Sequence, residues 1–511
     1  MPGSTRAAGG AAQGRQGGGV AATVRPVLWR LHAILTLLLV SPAAGQQPVR
    51  LIGAAFGGVA GAAERAGPRN EALASVQAVD APELVSALVS AWGVVHSEAR
   101  AVERERGRAA EQKLPSVSEM RERVELDACF GQMTRIEALL AQAEGRARAE
   151  LAEVVLGSRY PSQLRAILAP AVGGFGEVVR DAAAASLSDA KRPDDVWVAL
   201  RVLQGLGGQA RALGASIRPR LADREPMLRV QAARTLAAIG DRAAVPVLID
   251  RLEQEDDRRR HAVVDALERL TKQSFGMLVG SWRAWWAAEG EVFLRNGPPK
   301  QPAKKPNPAA ATPATTSAYF GIPQDGRAVL YLVDFSQSMR ARMSGKQGPT
   351  RWQECLRELG QAFDGLGPDR TFNVVVFAQR VLSFRTRQVP ADARNVAAAK
   401  EWLADLELEL GTAIFEGFEV AYHLGGARIE DRYFEPEIDT IFFLSDGMPT
   451  VRRPESPRKL SADKPALTLS LMRRRDPFRT VVVHAVLLGK SGGAGFLRQL
   501  AQQGEGRFVQ R

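Results

Sequence analysis

Proline is concentrated in one internal segment, and this segment divides the chain into two parts. Residues 297–317 read Gly-Pro-Pro-Lys-Gln-Pro-Ala-Lys-Lys-Pro-Asn-Pro-Ala-Ala-Ala-Thr-Pro-Ala-Thr-Thr-Ser. Because proline lacks an amide hydrogen and favours an extended backbone, such a segment cannot fold into a core. We therefore predict a semi-rigid linker over residues 296–322, with two folded parts that proteolysis would separate.

The length and charge of the chain limit what these parts are. A chain of 511 residues exceeds one ordinary core, so two or three domains are expected. The net charge of +12 permits binding to nucleic acid or anionic surfaces. However, the arginines are scattered beside aspartate and glutamate, which is typical of solvated helical faces. A nucleic-acid partner is therefore not predicted.

The start of the chain is typical of an export signal. Arginines at positions 6, 15, 25 and 30 precede the apolar run Leu31–Val40, and small residues at 43–45 supply a cleavage site. About ten apolar residues are too few to cross a bilayer, which takes ~20. We predict a signal peptide over residues 1–45 and an exported protein, periplasmic or secreted, with a membrane-anchored form if the signal is uncleaved. A core helix or short membrane anchor is the alternative.

Helix-type periodicity begins after a stretch without it. Residues 46–80 are rich in glycine and alanine and are expected to form a lead-in of low order. Over residues 81–190, apolar residues recur at spacings of three and four, which predicts a helical region.

A repeated unit follows over residues 191–295. Stretches 199–207 and 232–240 match in their apolar positions, an arginine and a terminal glycine at a period of 33 residues, and a further copy lies at 262–270. Since one helix pair cannot bury its own apolar face, stacking into a solenoid is expected.

Glycine and proline mark the helix ends within this unit. Gly207 and Gly240 suit a left-handed helix C-cap, and Pro246 suits the first turn of the next helix. The unit resembles HEAT-like repeats, best between residues 225 and 271. The resemblance implies an α-solenoid that binds protein or acts as a spacer; a purely structural stack stays open.

After the linker, apolar runs of strand length alternate with amphipathic helices. Strands are predicted at residues 328–333, 371–377, 381–384, 440–444, 480–488 and 507–509. Helices are predicted at residues 351–363, 393–403, 413–424 and 494–502. Near-continuous apolar strands separated by helices predict an α/β fold with a mostly parallel sheet covered on both faces.

Five oxygen-bearing residues stand at or beyond the ends of apolar runs: Asp334, Ser336, Ser338, Thr412 and Asp446. In parallel sheets the carboxyl ends of strands open onto one edge, where ligands bind near the switch in strand order. Neutral hydroxyls with a few carboxylates suit Mg2+ or Mn2+ better than zinc or copper. The sequence therefore predicts a divalent cation site. In the alternative, these side chains only cap the helices that follow.

The same residues carry a family resemblance. The order Asp334-Phe-Ser336-Gln-Ser338, then Thr412, then Ser445-Asp446-Gly447 resembles the metal-ion-dependent adhesion site (MIDAS) of von Willebrand factor type A (vWA) domains. We place a vWA-like, Rossmann-like domain at residues 323–511.

The resemblance implies roles for the five residues. Ser336 and Ser338 would coordinate Mg2+, or Mn2+ or Ca2+, directly, and Thr412 directly or through water. Asp334 and Asp446 would act mostly through coordinated water. An open coordination position would then accept a carboxylate from a protein partner.

These features predict a metal-dependent adhesion or scaffold protein, not an enzyme, with the helical repeats as a surface for a second protein partner. The alternative is a metal-dependent phosphoesterase, or an accessory module of an enzyme complex. Asp334-Phe-Ser336 lacks the second aspartate of a DxD phosphatase loop, and no base and nucleophile pair stands out. Polar connections at residues 420–437 and 451–465 would set which partner fits.

Cysteine and histidine offer no further site. Cys129 and Cys355 fall in different parts of the chain and predict separate buried thiols rather than a disulfide. The five histidines lack the spacing of a zinc site. His484 lies within an apolar strand, which is typical of a core histidine.

Overall fold

The computed structural model describes residues 46–57, 62–106, 117–255, 257–298, 318–343, 347–426, 436–453, 455–490 and 492–511. The predicted signal peptide and residues 299–317 of the predicted linker lie outside these ranges. Among the helices that are described, none has the length and apolar character needed to cross a membrane.

The N-terminal part is helical. Its helices are α1 (Gln46–Phe56), α2 (Ala66–Ala74), α3 (Pro82–Arg106), α4 (Val117–Leu140), α5 (Ala147–Leu156), α6 (Ser162–Gly173), α7 (Glu177–Asp189), α8 (Pro193–Leu206), α9 (Gly214–Ile217), α10 (Pro226–Ile239), α11 (Val245–Gln254), α12 (Asp257–Thr271) and α13 (Val279–Asn296). α8 packs between α6 and α10, and α10 also packs on α12. Each helix thus covers the apolar face of a neighbour, as expected for a stacked repeat.

Where it is described, the stretch expected to be a lead-in of low order contains two helices, α1 and α2. Helix α1 buries Ile52 and Phe56, α2 buries Leu73, and α1 packs on α3. Val49, Ile52 and Phe56 follow one another at spacings of three and four, which places them on one helix face. Because glycine and alanine are frequent in this stretch, the periodicity of its few large apolar residues is weak in the sequence.

The repeat period is visible in the helix ends. Helices α8 and α10 begin at Pro193 and Pro226, which are 33 residues apart. Gly240 ends α10 in the left-handed region, with φ 74° and ψ 35°, as predicted. Gly207 has φ 54° but ψ −133°, so it ends α8 outside that region. Pro246 lies in the first turn of α11, as predicted.

The C-terminal part alternates strands and helices. Its strands are β1 (Ala318–Tyr319), β2 (Ile322–Pro323), β3 (Ala328–Asp334), β4 (Thr371–Phe377), β5 (Val381–Ser383), β6 (Val389–Pro390), β7 (Thr440–Ser445), β8 (Thr450–Arg453), β9 (Ser456–Ala462), β10 (Val482–Leu487) and β11 (Glu505–Gln510). Its helices are α14 (Arg351–Asp364), α15 (Ala393–Ala404), α16 (Ile414–Leu424), α17 (Pro465–Arg475) and α18 (Ala494–Gln503). Every strand and helix predicted for this part is present, whereas β1, β2, β6, the β8–β9 hairpin and α17 were not predicted.

A mostly parallel sheet forms the centre of this part. The strand order is β11-β10-β7-β3-β4-β5; β5 and β6 pair antiparallel to β4, and the other pairs are parallel. Along β3, Val329, Tyr331 and Val333 contribute to one apolar cluster, with residues of α14 and α15. Leu330 and Leu332 contribute to the other, with residues of α16, α17 and α18. The predicted covering of both faces is confirmed.

The apolar cluster that contains Leu330 and Leu332 extends beyond the helices that cover the sheet. The buried residues around Leu330 and Leu332 belong to one contiguous apolar cluster with those of the N-terminal helices. Helix α4 packs on α17, and the rings of Trp197 and Phe478 meet edge to face with centroids 5.1 Å apart. The two parts, which the sequence predicts to be separable, thus share one apolar core, in which α16 and α17 lie between the sheet and the helical part.

Ion pairs accompany this apolar contact. Arg474 donates to Glu137 at 2.7 Å, and their side chains are only 4% and 5% exposed. Further pairs join the two parts: Arg475 with Glu103, Arg106 with Glu419, and Lys464 with Asp127. Removing one partner of a buried pair leaves an uncompensated charge, which typically costs ~3–5 kcal/mol.

Both cysteines are buried, as predicted, and His484 is half-buried in its strand. Cys129 and Cys355 are buried free thiols, and burial raises the pKa of Cys355 to about 12, which keeps it protonated. His484 stacks on Phe442, and its Nδ1 accepts a hydrogen bond from the Arg507 amide at 2.9 Å. Burial lowers the pKa of His484 to about 3, so this half-buried ring is neutral.

Cleavage within residues 299–317, at an introduced protease site, should leave the two parts associated, because an apolar core and buried ion pairs join them. The two fragments should co-elute in size-exclusion chromatography at the position of the intact chain. Arg474→Met, which leaves Glu137 without its ion-pair partner, should lower the urea concentration at which the cleaved fragments dissociate. Separate elution of the wild-type fragments without urea would contradict this account.

Candidate metal site at the sheet edge

The ends of three strands meet at one edge of the sheet. β3 is central, with β4 on one side and β7 on the other, so the strand order reverses at β3. Such a reversal opens a crevice beyond the carboxyl ends of the strands. Asp334 is the last residue of β3, and Asp446 directly follows β7.

Asp334 is fully buried at the base of this crevice. Its Oδ1 accepts a hydrogen bond from the Ser336 amide at 2.9 Å, and its Oδ2 accepts one from Ser445 Oγ at 2.6 Å. The first bond holds the turn after β3, and the second connects β3 to β7. Asp334 therefore fixes the positions of both loops.

A chain of hydrogen bonds continues from this turn. Ser336 Oγ and Ser338 Oγ lie 2.8 Å apart, and Ser338 Oγ donates to Asp446 Oδ1 at 2.8 Å. The other carboxylate oxygen of Asp446 accepts a bond from Arg351 Nη1 at 2.5 Å. Four of the five predicted residues, Asp334, Ser336, Ser338 and Asp446, are thus brought together.

Thr412 lies on the third loop and is held through its main chain. Its amide donates to Thr450 Oγ1 at 2.8 Å, and its carbonyl accepts from the Thr450 amide at 2.9 Å. The next residue, Ala413, donates to the carbonyl of Ala378, which directly follows β4. Thr412 is therefore positioned between the end of β4 and the β8–β9 hairpin.

The charge at this edge is unbalanced. Burial, and then the charge of Asp446, raise the pKa of Asp334 to about 7. Arg351 supplies one positive charge against these two carboxylates. In the ranges that the structure describes, no group of three or more His, Cys, Asp or Glu side chains is arranged to hold a metal. Any cation here would thus need hydroxyl ligands, and hydroxyls with carboxylates are the donors that Mg2+ prefers.

Comparison with known proteins gives a match in each part of the chain. Residues 190–268 match the family model described as HEAT repeats. Among solved structures, a "von Willebrand factor type A from Catenulispora acidiphila" matches over 36% of this chain and 38% of that one, at 19% identity and a TM-score of 0.28. A pilus adhesin, SpaC from Lactobacillus rhamnosus GG, matches over 36% of this chain and 28% of that one, at 14% identity and a TM-score of 0.27.

This chain is thus similar to HEAT repeats over residues 190–268, and its C-terminal α/β part, here called the vWA-like domain, is similar in fold to vWA domains. It is also similar to inter-alpha-trypsin inhibitor heavy chain H4 of Homo sapiens, with 32% identity over 124 residues, 24% of this chain and 12% of that protein. The protein of the same name from Bos taurus is 28% identical over 124 residues and is covered to 13%. Because so little of these relatives is spanned, their activities are not carried over to this chain.

Arg351 is the residue at the site of the vWA-like domain that sequence reasoning missed. It begins α14 after a capping box formed by Thr350 and Gln353, a pattern that predicts a helix start but not a contact with Asp446. Gly489, with φ 89°, leaves room for it, since a Cβ there would lie 2.5 Å from Arg351 Nη2. The segments that carry Arg351, Asp446 and Gly489 are distant in sequence, so only the folded chain brings them together.

The helical part supports the loop that carries Thr412. Arg123 of α4 forms two ion pairs. One is with Glu416 in the first turn of α16, and the other is with Asp463, which directly follows β9, at 2.6 Å. Its guanidinium carbon also lies 3.6 Å from the ring centroid of Phe415. One buried arginine thus fixes α16 and the β8–β9 hairpin, the two elements that flank Thr412.

Asp334→Asn should stabilise the metal-free protein at about pH 8, because the raised pKa of Asp334 reflects a cost of ionising it in the fold. The unfolded chain releases this proton near pH 4 and the folded chain near pH 7, so stability falls as the pH rises between these values. In Asp334→Asn the side chain at this position does not ionise, so this decrease in stability is absent. Thermal unfolding with EDTA should show a gain of a few degrees at about pH 8 that disappears at about pH 4.

Asp446→Asn is the matched control for that measurement. It relieves Asp334 of a neighbouring charge but also breaks the ion pair with Arg351, so its gain at about pH 8 should be smaller than that of Asp334→Asn. If Asp334→Asn were less stable than the wild type by the same margin at both pH values, the buried carboxylate would not be a cost to the metal-free fold.

Proposed function

We propose that the vWA-like domain binds a divalent cation, Mg2+ in the first place, and through it a protein partner. Ser336 and Ser338 would hold the cation through their hydroxyls, with Thr412 beside them. Asp334 and Asp446 would supply the negative charge, mostly through water. The bound cation would act as a Lewis acid that accepts a carboxylate from the partner.

The observation that carries this proposal is the hydrogen-bonded cluster of Ser336, Ser338 and Asp446 above the buried Asp334. Its hydroxyl and carboxylate oxygens already lie within hydrogen-bond distance of one another at the sheet edge. A buried aspartate next to a second carboxylate is costly without a compensating cation. The cluster therefore has both the donors and the charge that a divalent cation requires.

Two exposed apolar side chains lie close in sequence to the site residues. Leu410 is 56% exposed and lies two residues before Thr412, and Met448 is 43% exposed and lies two residues after Asp446. We call this pair the apolar rim. Apolar and methionine side chains beside an open polar centre are typical of protein contact surfaces. The rim would contact partner residues on either side of the metal-bound carboxylate.

The proposal extends to the remaining parts of the chain. The HEAT repeats contact the vWA-like domain of the same chain through Trp197, so one of their surfaces serves that contact. A second protein partner would bind their remaining surface. The predicted signal peptide would export the protein to the periplasm or the medium, where divalent cations are available to the site.

Metal binding is expected to depend on the cluster. In calorimetric titrations of the full chain with Mg2+ or Mn2+, Ser338→Ala and Asp446→Ala should weaken binding at least about tenfold, since each removes an oxygen donor or charge. Asp364→Ala, which removes an exposed carboxylate paired with Lys400, should leave the affinity unchanged. Equal affinities in all of these proteins would contradict the proposed site.

The same variants separate binding from catalysis. A partner captured from native extract with Mg2+, identified and purified, should bind the wild type and be lost with EDTA or in Ser338→Ala. Metal-dependent hydrolysis of phosphoesters by the wild type, absent in Ser338→Ala, would instead favour the phosphoesterase alternative.

The apolar rim should affect the partner and not the metal. The double variant Leu410→Ser and Met448→Ser should weaken binding of that purified partner about tenfold or more, while its Mg2+ affinity stays that of the wild type. Leu294→Ser, which changes an apolar side chain of α13 that is 44% exposed, is the matched control and should retain partner binding. Loss of metal affinity in the rim variant would contradict the separation of these two roles.

A further inference from the structure

A cavity lies between the HEAT repeats and the vWA-like domain, away from the sheet edge that carries the candidate metal site. Its volume is about 210 Å3, and α6, α8, α16 and α17 contribute to its walls. Trp197 and Tyr422 form part of the apolar wall, and the polar wall includes three arginines, Arg201, Arg473 and Arg479. Arg201 comes from the repeats and the other two from the vWA-like domain, so the cavity exists only where the two parts meet.

The hydrogen bonds of two of these guanidinium groups go to neutral partners. Arg201 Nη1 donates to Gln204 Oε1 at 2.6 Å, and Arg473 Nη2 donates to Thr134 Oγ1 at 3.4 Å. In the described part of the chain, neither arginine forms an ion pair, and the buried Nε of Arg473 has no hydrogen-bond partner. Partial removal of a guanidinium group from water is unfavourable unless a negative charge pairs with it. These two groups could therefore bind an anion.

The carboxylates near the cavity already have hydrogen-bond or ion-pair partners. Asp476 accepts bonds from the amides of Thr480 and Val481, both at 2.7 Å, and from Thr480 Oγ1 at 2.9 Å. Glu505 pairs with Arg479 at 2.8 Å and also with Arg234. These two carboxylates face four arginines, the three of the cavity and Arg234, which leaves an excess of two positive charges.

The shifts in the pKa of Arg201 and Arg473 agree with this excess of positive charge. Burial, and then the charge of Arg479, lower the pKa of Arg201 to about 10. Burial also lowers the pKa of Arg473. Arg474, the neighbour of Arg473, does not change the balance because it pairs with Glu137.

We propose that this cavity binds a phosphate group, either free phosphate or a small phosphate monoester, between the HEAT repeats and the vWA-like domain. A phosphate dianion would neutralise the two excess charges. Its tetrahedral oxygens accept hydrogen bonds from several guanidinium groups at once, which a single carboxylate does not match. Because Arg201 and Arg473 lie on different parts of the chain, the ligand would strengthen the contact between them.

Calorimetric titration of the full chain with inorganic phosphate and with glycerol phosphate, at constant ionic strength and with EDTA, tests this proposal. Saturable binding of at least one of the two is expected, together with a rise in unfolding temperature. Tighter binding of the ester would identify a monoester as the ligand, and tighter binding of inorganic phosphate would identify the free ion. Absence of saturable binding of both would overturn the proposal.

Two variants locate the site. Arg201→Met and Arg473→Met should each weaken phosphate binding about tenfold or more, ~1.4 kcal/mol, and either one suffices if the other fails to fold. Arg283→Met, at an exposed surface pair, is the matched control and should bind as the wild type does. Equal affinity in a folded cavity variant would overturn the proposal. Asp446→Ala should bind phosphate normally, so failure of this site and failure of the metal site are distinguishable.

Discussion

Helix α16 is the element on which both the fold and the candidate site depend, because it is buried on two sides. Phe415, Phe418 and Ala421 belong to the apolar cluster that covers the sheet and continues into the helical part. Its two glutamates point to that part as well, where Glu416 pairs with Arg123 and Glu419 with Arg106. A surface helix of an isolated α/β domain has a polar outer face. This helix instead requires the helical part in order to bury its own residues, so the two parts form one body.

The position of the metal-site loop follows from the same helix. Thr412 precedes α16 by two residues, and its main chain is bonded to Thr450 at the start of the β8–β9 hairpin. Arg123 holds the beginning of α16 and Asp463 after the hairpin, so it supports this loop from outside the vWA-like domain. Asp334 and Asp446, by contrast, are held within the sheet edge itself. The site thus has an internal half set by the sheet and an outer loop set by the contact between the two parts.

Sequence reasoning succeeded where the signal is local. Apolar runs predicted β3, β4 and β7 within one residue at each end, and these strand ends carry Asp334 and Asp446. It failed where burial comes from distant residues. In α17, Leu467, Leu469 and Leu471 alternate as in a strand, but Thr468 and Ser470 between them are also buried, so contacts on several sides support a helix. Arg123 and Glu416 are 293 residues apart, and no periodicity in either segment indicates their pairing. Of the five candidate site residues, four are joined by hydrogen bonds at the sheet edge and Thr412 lies on the neighbouring loop; their binding of a cation stays a prediction.

The two proposed sites have opposite charge imbalance, and α16 connects them. At the sheet edge, Asp334 and Asp446 exceed the charge of Arg351; in the cavity, arginines exceed carboxylates by two. Thr412 lies just before the first turn of α16, and Tyr422 in its last turn lines the cavity. A helix of this length spans about 16 Å. Helix α16 therefore borders both candidate sites, with the metal-site loop directly before its first turn and Tyr422 of its last turn in the cavity wall.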